Sequence, residues 1–133
     1  MSNQNRNKPQ RRLGGCLMKE DPFLGHCEKE RYYKKYGNRF TKALKTVDEG
    51  KVKKYVIPDS HIERWIVVGS KKEYILVDDI YCSCYDFYHS VLQLQEIDKC
   101  YHLLAKMIAA KSQRYDTIEI TFQQFQKFLL EWL

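Results

Sequence analysis

Two short motifs carry most of the chemistry in this sequence. A Cys-x-Cys pair, Cys82 and Cys84, is followed after the fifteen residues 85–99 by a Cys-x-His pair, Cys100 and His102. Three thiolates and one imidazole are a common ligand set for a tetrahedral zinc ion, and close pairing of ligands on short turns is typical of such sites. We therefore predict that these four residues bind one zinc ion together.

The spacing within each pair restricts where the ligands can lie. Side chains at positions i and i+2 are about 7 Å apart on an extended strand and about 200° apart on a helix, so neither element holds both ligands of a pair. Cys82 and Cys84 must lie on a turn at the end of a strand, and Cys100 must precede a helix whose first turn contains His102. Because protein groups fill all four coordination positions, we expect a structural rather than a hydrolytic zinc.

Three neighbouring residues assist or compete with this ligand set. His89 is an alternative ligand, but its use in place of His102 would break the close pairing, so we favour His102. Asp98 is expected to cap the helix that begins near Cys100. Lys99 is expected to offset the negative charge of a site with three thiolates.

Length and composition fit one folded domain with a short tail. The chain has 133 residues and 44% of them are hydrophobic, so residues 16–133 can form one core, whereas the polar, basic residues 1–15 are expected to be a disordered tail. No apolar run is long enough to span a bilayer, and the first residues lack the apolar region of a secretory signal. We therefore expect no membrane partner.

Cysteine usage favours a reducing compartment. The chain has five cysteines, an odd number, and three of them belong to the zinc pattern. Cys16, His26 and Cys27 lack a fourth metal ligand at a suitable spacing, so we expect free thiols there rather than a second site. An intracellular location follows, in the cytoplasm or, for a eukaryotic protein, in the nucleus.

The net charge of +6 is unevenly distributed along the chain. Residues 1–58 contain 15 Lys and Arg against 6 Asp and Glu, a balance of +9, whereas residues 59–133 contain 8 against 11, a balance of −3. A basic half can contact nucleic-acid phosphates, although a solvated, lysine-rich surface explains the composition equally well. The candidate nucleic-acid contacts are Arg6, Arg11 and Arg12 in the tail and Lys34, Lys35, Arg39 and Lys42 on the first helix.

Hydrophobic periodicity predicts an α+β fold. An apolar stripe at helical spacing indicates a first helix over residues 28–49, which Gly37 could bend or delay. Three strands in an antiparallel meander are then predicted at residues 52–57, 62–68 and 73–80; the third alternates cleanly, whereas Ile62, Trp65 and Val67 in the second do not and leave its register open.

Helices dominate the remainder of the chain. Residues 85–97 fit either a short helix or an irregular loop, and residues 101–114 show a helical pattern. A short strand is expected at residues 117–120, before a last helix that starts at a capping box formed by Thr121 and Gln124. The aromatic stripe of this helix favours packing onto the domain itself.

The residues around the ligands resemble a known family. The segments YCSCYDF (81–87) and KCYHLLA (99–105) are similar to the CSC-x-x-F and C-x-H-L-L-A segments of the SWIM zinc finger. The resemblance covers about residues 74–108. It implies a zinc cofactor and a small apolar core around the metal, formed by Phe87, Leu103 and Leu104.

Small proteins whose main feature is a SWIM module act in homologous recombination and DNA repair. They pair with paralogues of the RecA-family recombinase and help to build its filament on single-stranded DNA. By this resemblance, we expect a non-enzymatic accessory protein with a RecA-family recombinase paralogue as its partner and single-stranded DNA as a further contact. A homo-oligomer is also compatible with the sequence.

Two other functions fit parts of the sequence. The basic half is typical of a small DNA-binding transcriptional regulator of viral or mobile-element type. An enzyme is not expected, because there is no Gly-rich phosphate loop and no Ser/His/Asp or Cys/His nucleophile pattern. Asp78, Asp79, Asp86 and Asp98 could hold a hard cation near the zinc pattern, but exposed carboxylates are usually only solvated.

Overall fold

The computed structural model describes residues 25–58 and 60–132, which form an α+β fold. Five helices combine with one mixed sheet of five strands. The helices are α1 (His26–Tyr36), α2 (Asn38–Asp48), a π-helical segment (Phe87–Gln93), α3 (Tyr101–Ser112) and α4 (Phe122–Trp132). The strands are β1 (Val52–Ile57), β2 (Ile62–Val68), β3 (Glu73–Val77), β4 (Tyr81–Cys82) and β5 (Asp116–Glu119).

A glycine divides the N-terminal helical region into two helices. Gly37 adopts φ 60° and ψ −127°, a combination that residues with a Cβ atom rarely reach without strain. Its N–H donates to the Tyr33 carbonyl at the end of α1, and its carbonyl accepts from the Phe40 N–H at the start of α2. The chain therefore has two helices where one helix over residues 28–49 was expected.

The sheet is larger than the expected three-stranded meander. Its strands lie in the order β4-β3-β2-β1-β5, with antiparallel pairing from β1 to β4 and parallel pairing between β1 and β5. β1 and β2 have the expected bounds, whereas β3 ends at Val77 because Asp78 adopts φ 48° and turns the chain towards β4. β5 can run parallel to β1 because the chain passes through α3 before it returns to the sheet.

The two faces of the sheet pack against different helices. Alternate strand residues point to opposite faces, so Val67 and Leu76 face one core whereas Ile66 and Ile75 face another. The first and larger core lies under α2 and α3, and its fully buried side chains include Phe40, Val47, Leu103, Leu104 and Ile108. The second core is covered by Phe125, Phe128 and Leu129 of α4. The three cysteines of the zinc pattern belong to the larger core.

The last helix begins at the expected capping box. The Thr121 hydroxyl accepts the Gln124 N–H at 3.1 Å, and the Gln124 side-chain oxygen accepts the Thr121 N–H at 3.0 Å. These two bonds satisfy amides that the start of a helix leaves without partners. The packing of α4 onto the sheet also agrees with the prediction that its aromatic stripe contacts the domain itself.

Some expectations concern parts of the chain outside the described residues. The basic tail at residues 1–15 lies outside them, as does Cys16, and the division into a tail and one domain stays a prediction. Cys27 is disulfide-bonded, so the free thiol expected there was wrong. The intracellular location, which was argued partly from unpaired cysteines, stays a prediction. Among the described residues, no helix has the length and apolar character needed to cross a membrane.

The break between α1 and α2 can be tested by substituting Gly37. We expect Gly37→Ala to lower the free energy of unfolding by about 1–3 kcal/mol, because alanine is strained at this φ and ψ. An added Cβ would contact nothing within 4 Å, so the loss would arise from the backbone alone. Gly25→Ala is the matched control, since Gly25 also has open space but has φ −67°. Urea unfolding measures both, and equal stability of the two variants would contradict the break.

Candidate metal centre

The fold brings the four predicted ligands to one point. The sulfur atoms of Cys82, Cys84 and Cys100 and a ring nitrogen of His102 all lie within 4.8 Å of one another, and all four side chains are buried. Two chain segments that are well separated in sequence thus meet inside the larger core. The cluster predicted from the spacing is confirmed, and its donor atoms are close enough to bind one metal ion.

Cys82 and Cys84 lie on a turn, and Ser83 between them binds this turn to the sheet through hydrogen bonds. The Ser83 N–H donates to the Ile75 carbonyl at 3.1 Å, and the Ser83 hydroxyl accepts the Ile75 N–H at 3.1 Å. Cys82 is the last residue of β4, so these bonds hold the turn next to β3. The Phe87 N–H donates to Cys84 Sγ at 3.3 Å, which is the kind of contact that stabilises a thiolate.

The second pair lies at the start of α3, as the spacing predicts. Cys100 has an extended backbone with φ −78° and ψ 174°, the helix begins at Tyr101, and His102 lies in the first turn. His102 Nδ1 is 4.0 Å from Cys100 Sγ, whereas its buried Nε2 has no hydrogen-bond partner among the described residues. An unpaired buried nitrogen costs about 1–3 kcal/mol. One ring nitrogen of His102 lies close enough to the three sulfur atoms to share a metal ion with them.

Two tyrosines enclose the His102 ring. The centroid of the Tyr74 ring lies 4.4 Å from that of His102, and the centroid of the Tyr101 ring lies 4.0 Å away. Tyr74 comes from β3 and Tyr101 from the first residue of α3, so both elements restrict the imidazole. Neither tyrosine was predicted to contribute, although Tyr101 is the spacer between two ligands.

The pKa values of the three cysteine thiols are shifted in different directions. Hydrogen bonds from Cys100 and Cys82 lower the pKa of Cys84, whereas hydrogen bonds with Cys100 and Cys84, together with burial, raise the pKa of Cys82. The pKa of Cys100 rises to about 12, because its hydrogen bond with Cys82 lowers it less than the contact with Cys84 and burial raise it. The protein alone therefore stabilises one thiolate, at Cys84. A bound cation would supply the charge that allows all three to ionise.

Asp98 does not cap α3, so that prediction was wrong. α3 begins at Tyr101, and no side chain makes a capping hydrogen bond at its N-cap residue, Cys100. Asp98 instead accepts a 2.7 Å hydrogen bond from the Tyr36 hydroxyl, and its other oxygen lies 3.5 Å from Lys35 Nζ and 3.7 Å from Lys99 Nζ. Asp98 therefore connects the segment before Cys100 to the end of α1.

A second contact connects the helices to the other side of the cluster. Arg39 of α2 donates two hydrogen bonds of 2.9 Å to the Asp86 carboxylate, two residues after Cys84, and a third of 3.2 Å to the Ser90 hydroxyl. Ser90 is buried and donates to Asp86 at 2.9 Å. The hydrogen bonds from Arg39 lower the pKa of Asp86. The start of the π-helical segment is thus held against α2.

His89 is not part of the cluster. Its ring stacks on Tyr85 at a centroid distance of 5.4 Å, and its Nδ1 lies 3.3 Å from the Gln93 side-chain oxygen. The segment after Cys84 is π-helical, as the Leu94 N–H bond to the His89 carbonyl at 2.9 Å shows. The alternative set with His89 as a ligand was therefore wrong.

The candidate nucleic-acid contacts are not gathered in one site. Lys34 and Lys42 are exposed on α1 and α2, and Lys42 Nζ lies 5.7 Å from the centre of the Tyr101 ring. Lys35 is near Asp98, and Arg39 is held by Asp86 as described above. The three tail candidates, Arg6, Arg11 and Arg12, lie outside the described residues.

The carboxylates that could hold a hard cation point to different partners. Asp79 accepts a 2.9 Å hydrogen bond from Lys106, while Asp86 and Asp98 have the separate contacts given above. Among the residues that the structure describes, the Cys/His cluster is the one group with a metal-ligand arrangement.

Comparison with known proteins does not identify a family. No protein-family model and no curated protein matches this chain. The SWIM resemblance thus depends on the residues around the ligands alone.

The contribution of the Arg39–Asp86 pair to stability can be tested by substituting Arg39. We expect Arg39→Gln to lower the free energy of unfolding of the metal-loaded protein by about 1–2 kcal/mol, since hydrogen bonds to charged groups are strong but this pair is one-third exposed. Arg39→Lys should recover only part of the loss, because lysine cannot make the two parallel bonds. Lys34→Gln, an exposed charge removal nearby, should change stability by less than about 0.5 kcal/mol. A loss no larger for Arg39→Gln than for Lys34→Gln in denaturant titrations would show that the pair does not support the loop.

Proposed function

We propose that this chain is a zinc-binding accessory protein of the SWIM type that acts in homologous recombination. The observation that carries the proposal is the buried cluster of Cys82, Cys84, Cys100 and His102, with donor atoms within 4.8 Å of one another. Three thiolates and one imidazole favour zinc over magnesium or calcium, which prefer oxygen ligands. Zinc would have a structural role here, because four protein ligands leave no position for a reacting water.

The side chains around the cluster support the SWIM part of the proposal. Phe87, Leu103 and Leu104 are buried in the same core as the cysteines, at the positions where the family pattern has apolar residues. The first ligand pair lies at the end of β4 and the second at the start of α3. This placement agrees with a motif in which one metal ion joins a strand to a helix. By the same resemblance, the partner is a paralogue of the RecA-family recombinase.

Contact with single-stranded DNA is the second part of the proposal. It depends on the basic balance of residues 1–58 and on Lys34 and Lys42, which are exposed and make no ion pair with another described residue. Arg39 is excluded as a direct contact, because its guanidinium is already bonded to Asp86. The same charge balance favours a second candidate function, a small DNA-binding regulator, which would contact duplex DNA without a recombinase.

Co-purification from native extract and DNA titration together separate the two functions. We expect the tagged chain to recover a RecA-family ATPase, and to bind an oligothymidylate weakly on its own, with affinity that falls between about 50 and 200 mM salt. A regulator would recover no such ATPase and would bind duplex DNA tightly by itself. That second outcome would remove the recombination proposal, whatever the metal content of the protein.

A further inference from the structure

The residue between the first two metal ligands, Ser83, makes a contact that a regular strand would not give it. β3 and β4 pair antiparallel with Leu76 opposite Cys82, so the next pair along this register is Ile75 and Ser83. In a regular antiparallel ladder, a hydrogen-bonded pair exchanges two bonds, each from the N–H of one residue to the carbonyl of the other. The Ser83 N–H makes the first of these bonds, to the Ile75 carbonyl at 3.1 Å.

A side chain makes the second bond of this pair. The Ile75 N–H donates to the Ser83 hydroxyl at 3.1 Å, whereas a continued strand would offer it the Ser83 carbonyl. The hydroxyl therefore takes the place of a backbone acceptor, as serine side chains often do at turns. β4 ends one residue earlier, at Cys82.

The end of the ladder at this point lets the two cysteines converge. If β4 continued through Cys84, the Cα atoms of Cys82 and Cys84 would be about 7 Å apart along one face of the strand. The structure instead brings their sulfur atoms within 4.8 Å of each other and of the Cys100 sulfur. Because the Ser83 hydroxyl satisfies the Ile75 N–H, the chain leaves the strand without an unpaired amide inside the sheet.

Cys84 is also held on its other side. Its sulfur accepts the Phe87 N–H at 3.3 Å, and its carbonyl accepts the Tyr88 N–H at 3.4 Å, so helical turns begin directly after this ligand. Ser83 is the single residue between the end of the strand and Cys84, and its N–H and hydroxyl both bind Ile75. The direction of the chain between the two ligands thus depends on Ser83.

We propose that Ser83 is a positioning residue of the metal centre, whose hydroxyl ends β4 and thereby places the Cys82 and Cys84 sulfurs around one metal ion. The inference rests on the metal-binding part of the proposed function and is independent of the recombinase partner and of DNA contact. Without the hydroxyl, the Ile75 N–H would bind the carbonyl of residue 83 and draw the chain back into the strand. Cys84 would then move away from the other ligands.

Zinc affinity of the full chain, measured against a competing chelator, tests this role. We expect the dissociation constant for zinc to rise about tenfold or more in Ser83→Ala, since changes to groups that orient metal ligands commonly weaken binding about 10–100-fold. Ser83→Thr should retain most of the affinity, because threonine keeps the hydroxyl and suits an extended backbone.

Cobalt substitution reports on the ligand geometry itself. Thiolate-to-metal absorption and the visible bands of tetrahedral Co²⁺ depend on how many sulfurs bind and on their arrangement. We expect Ser83→Ala to weaken and shift these bands, and Ser83→Thr to give the wild-type spectrum. A residue that only stabilised the fold would leave the spectrum of the loaded protein unchanged.

Ser112→Ala is the matched control. The Ser112 hydroxyl also binds a backbone group in a partly buried position, the Ile108 carbonyl at 2.8 Å, but Ser112 is the last residue of α3 whereas His102 lies in its first turn. Its removal costs a hydrogen bond of the same kind without touching the ligands. Zinc affinity and the cobalt spectrum should therefore match those of the wild type.

Three results would overturn the inference. These are equal zinc affinity and cobalt spectra for wild type and Ser83→Ala, a loss in Ser112→Ala as large as that in Ser83→Ala, and a Ser83→Thr protein as weak as the alanine variant. Hydrogen exchange of the Ile75 amide in the zinc-loaded wild type tests the contact even if Ser83→Ala does not fold. We expect slow exchange there, and exchange as fast as that of an exposed amide would also overturn the inference.

The same measurements separate this inference from the proposed function. If wild type and Ser83→Ala bind zinc equally, the positioning role is wrong and the metal centre stands. If wild type binds no zinc, the metal-binding part of the proposed function fails first. If Ser83→Ala loses zinc affinity but the wild type recovers no recombinase from extract, the positioning role stands and the proposed partner is wrong.

Discussion

Three buried sulfur atoms and one imidazole nitrogen converge where the edge strand β4 meets the start of α3. Apolar packing alone does not explain this arrangement, because it places four polar donor atoms within 4.8 Å of one another inside the core and leaves Nε2 of His102 without a hydrogen-bond partner among the described residues. The ionisation of the three thiols points to a bound cation. Of the three thiols, the pKa of Cys84 is lowered by hydrogen bonds from its neighbours, whereas the pKa values of Cys82 and Cys100 are raised, so a bound cation would let all three sulfurs carry charge.

The rest of the fold holds the two halves of this cluster in place. Tyr36 at the end of α1 binds Asp98 before the second pair, and Arg39 on α2 binds Asp86 after the first pair. Gly37 lies between these two residues and lets the chain turn from one helix into the next. Because the chain turns at Gly37, Tyr36 and Arg39 contact opposite ends of the loop between the two ligand pairs. A cross-link at the metal and two contacts from the helices would together hold the exposed loop in one conformation.

The parts of this structure that depend on local spacing were accessible from the sequence. Ligand spacing identified Cys82 and His102 as members of one site, short apolar runs between turn residues indicated β1 and β2, and the Thr121 capping box marked the start of α4. Each of these features is determined by residues within a few positions of one another.

The parts that depend on distant contacts were not accessible. Arg39 and Asp86 are 47 residues apart, so nothing near Arg39 in the sequence distinguished a partly buried ion pair from a phosphate contact. Asp98 was assigned to a helix cap because it precedes α3 in the sequence. Its actual partner, Tyr36, is 62 residues away, so no local pattern indicated that contact. The two-residue β4 has too little sequence to show alternation, and the π-helical turn satisfies the same apolar pattern as a short α-helix.

Zinc K-edge X-ray absorption on protein purified without added metal, combined with elemental analysis, shows directly whether Cys82, Cys84, Cys100 and His102 bind zinc. We predict one zinc per chain, with three sulfur ligands at about 2.3 Å and one nitrogen ligand at about 2.0 Å. His89→Ala should leave this spectrum unchanged, whereas His102→Ala should lose the nitrogen ligand or the metal. Less than one metal ion per chain in the wild type, a shell dominated by oxygen, or a spectrum that changes with His89 and not with His102 would contradict this prediction.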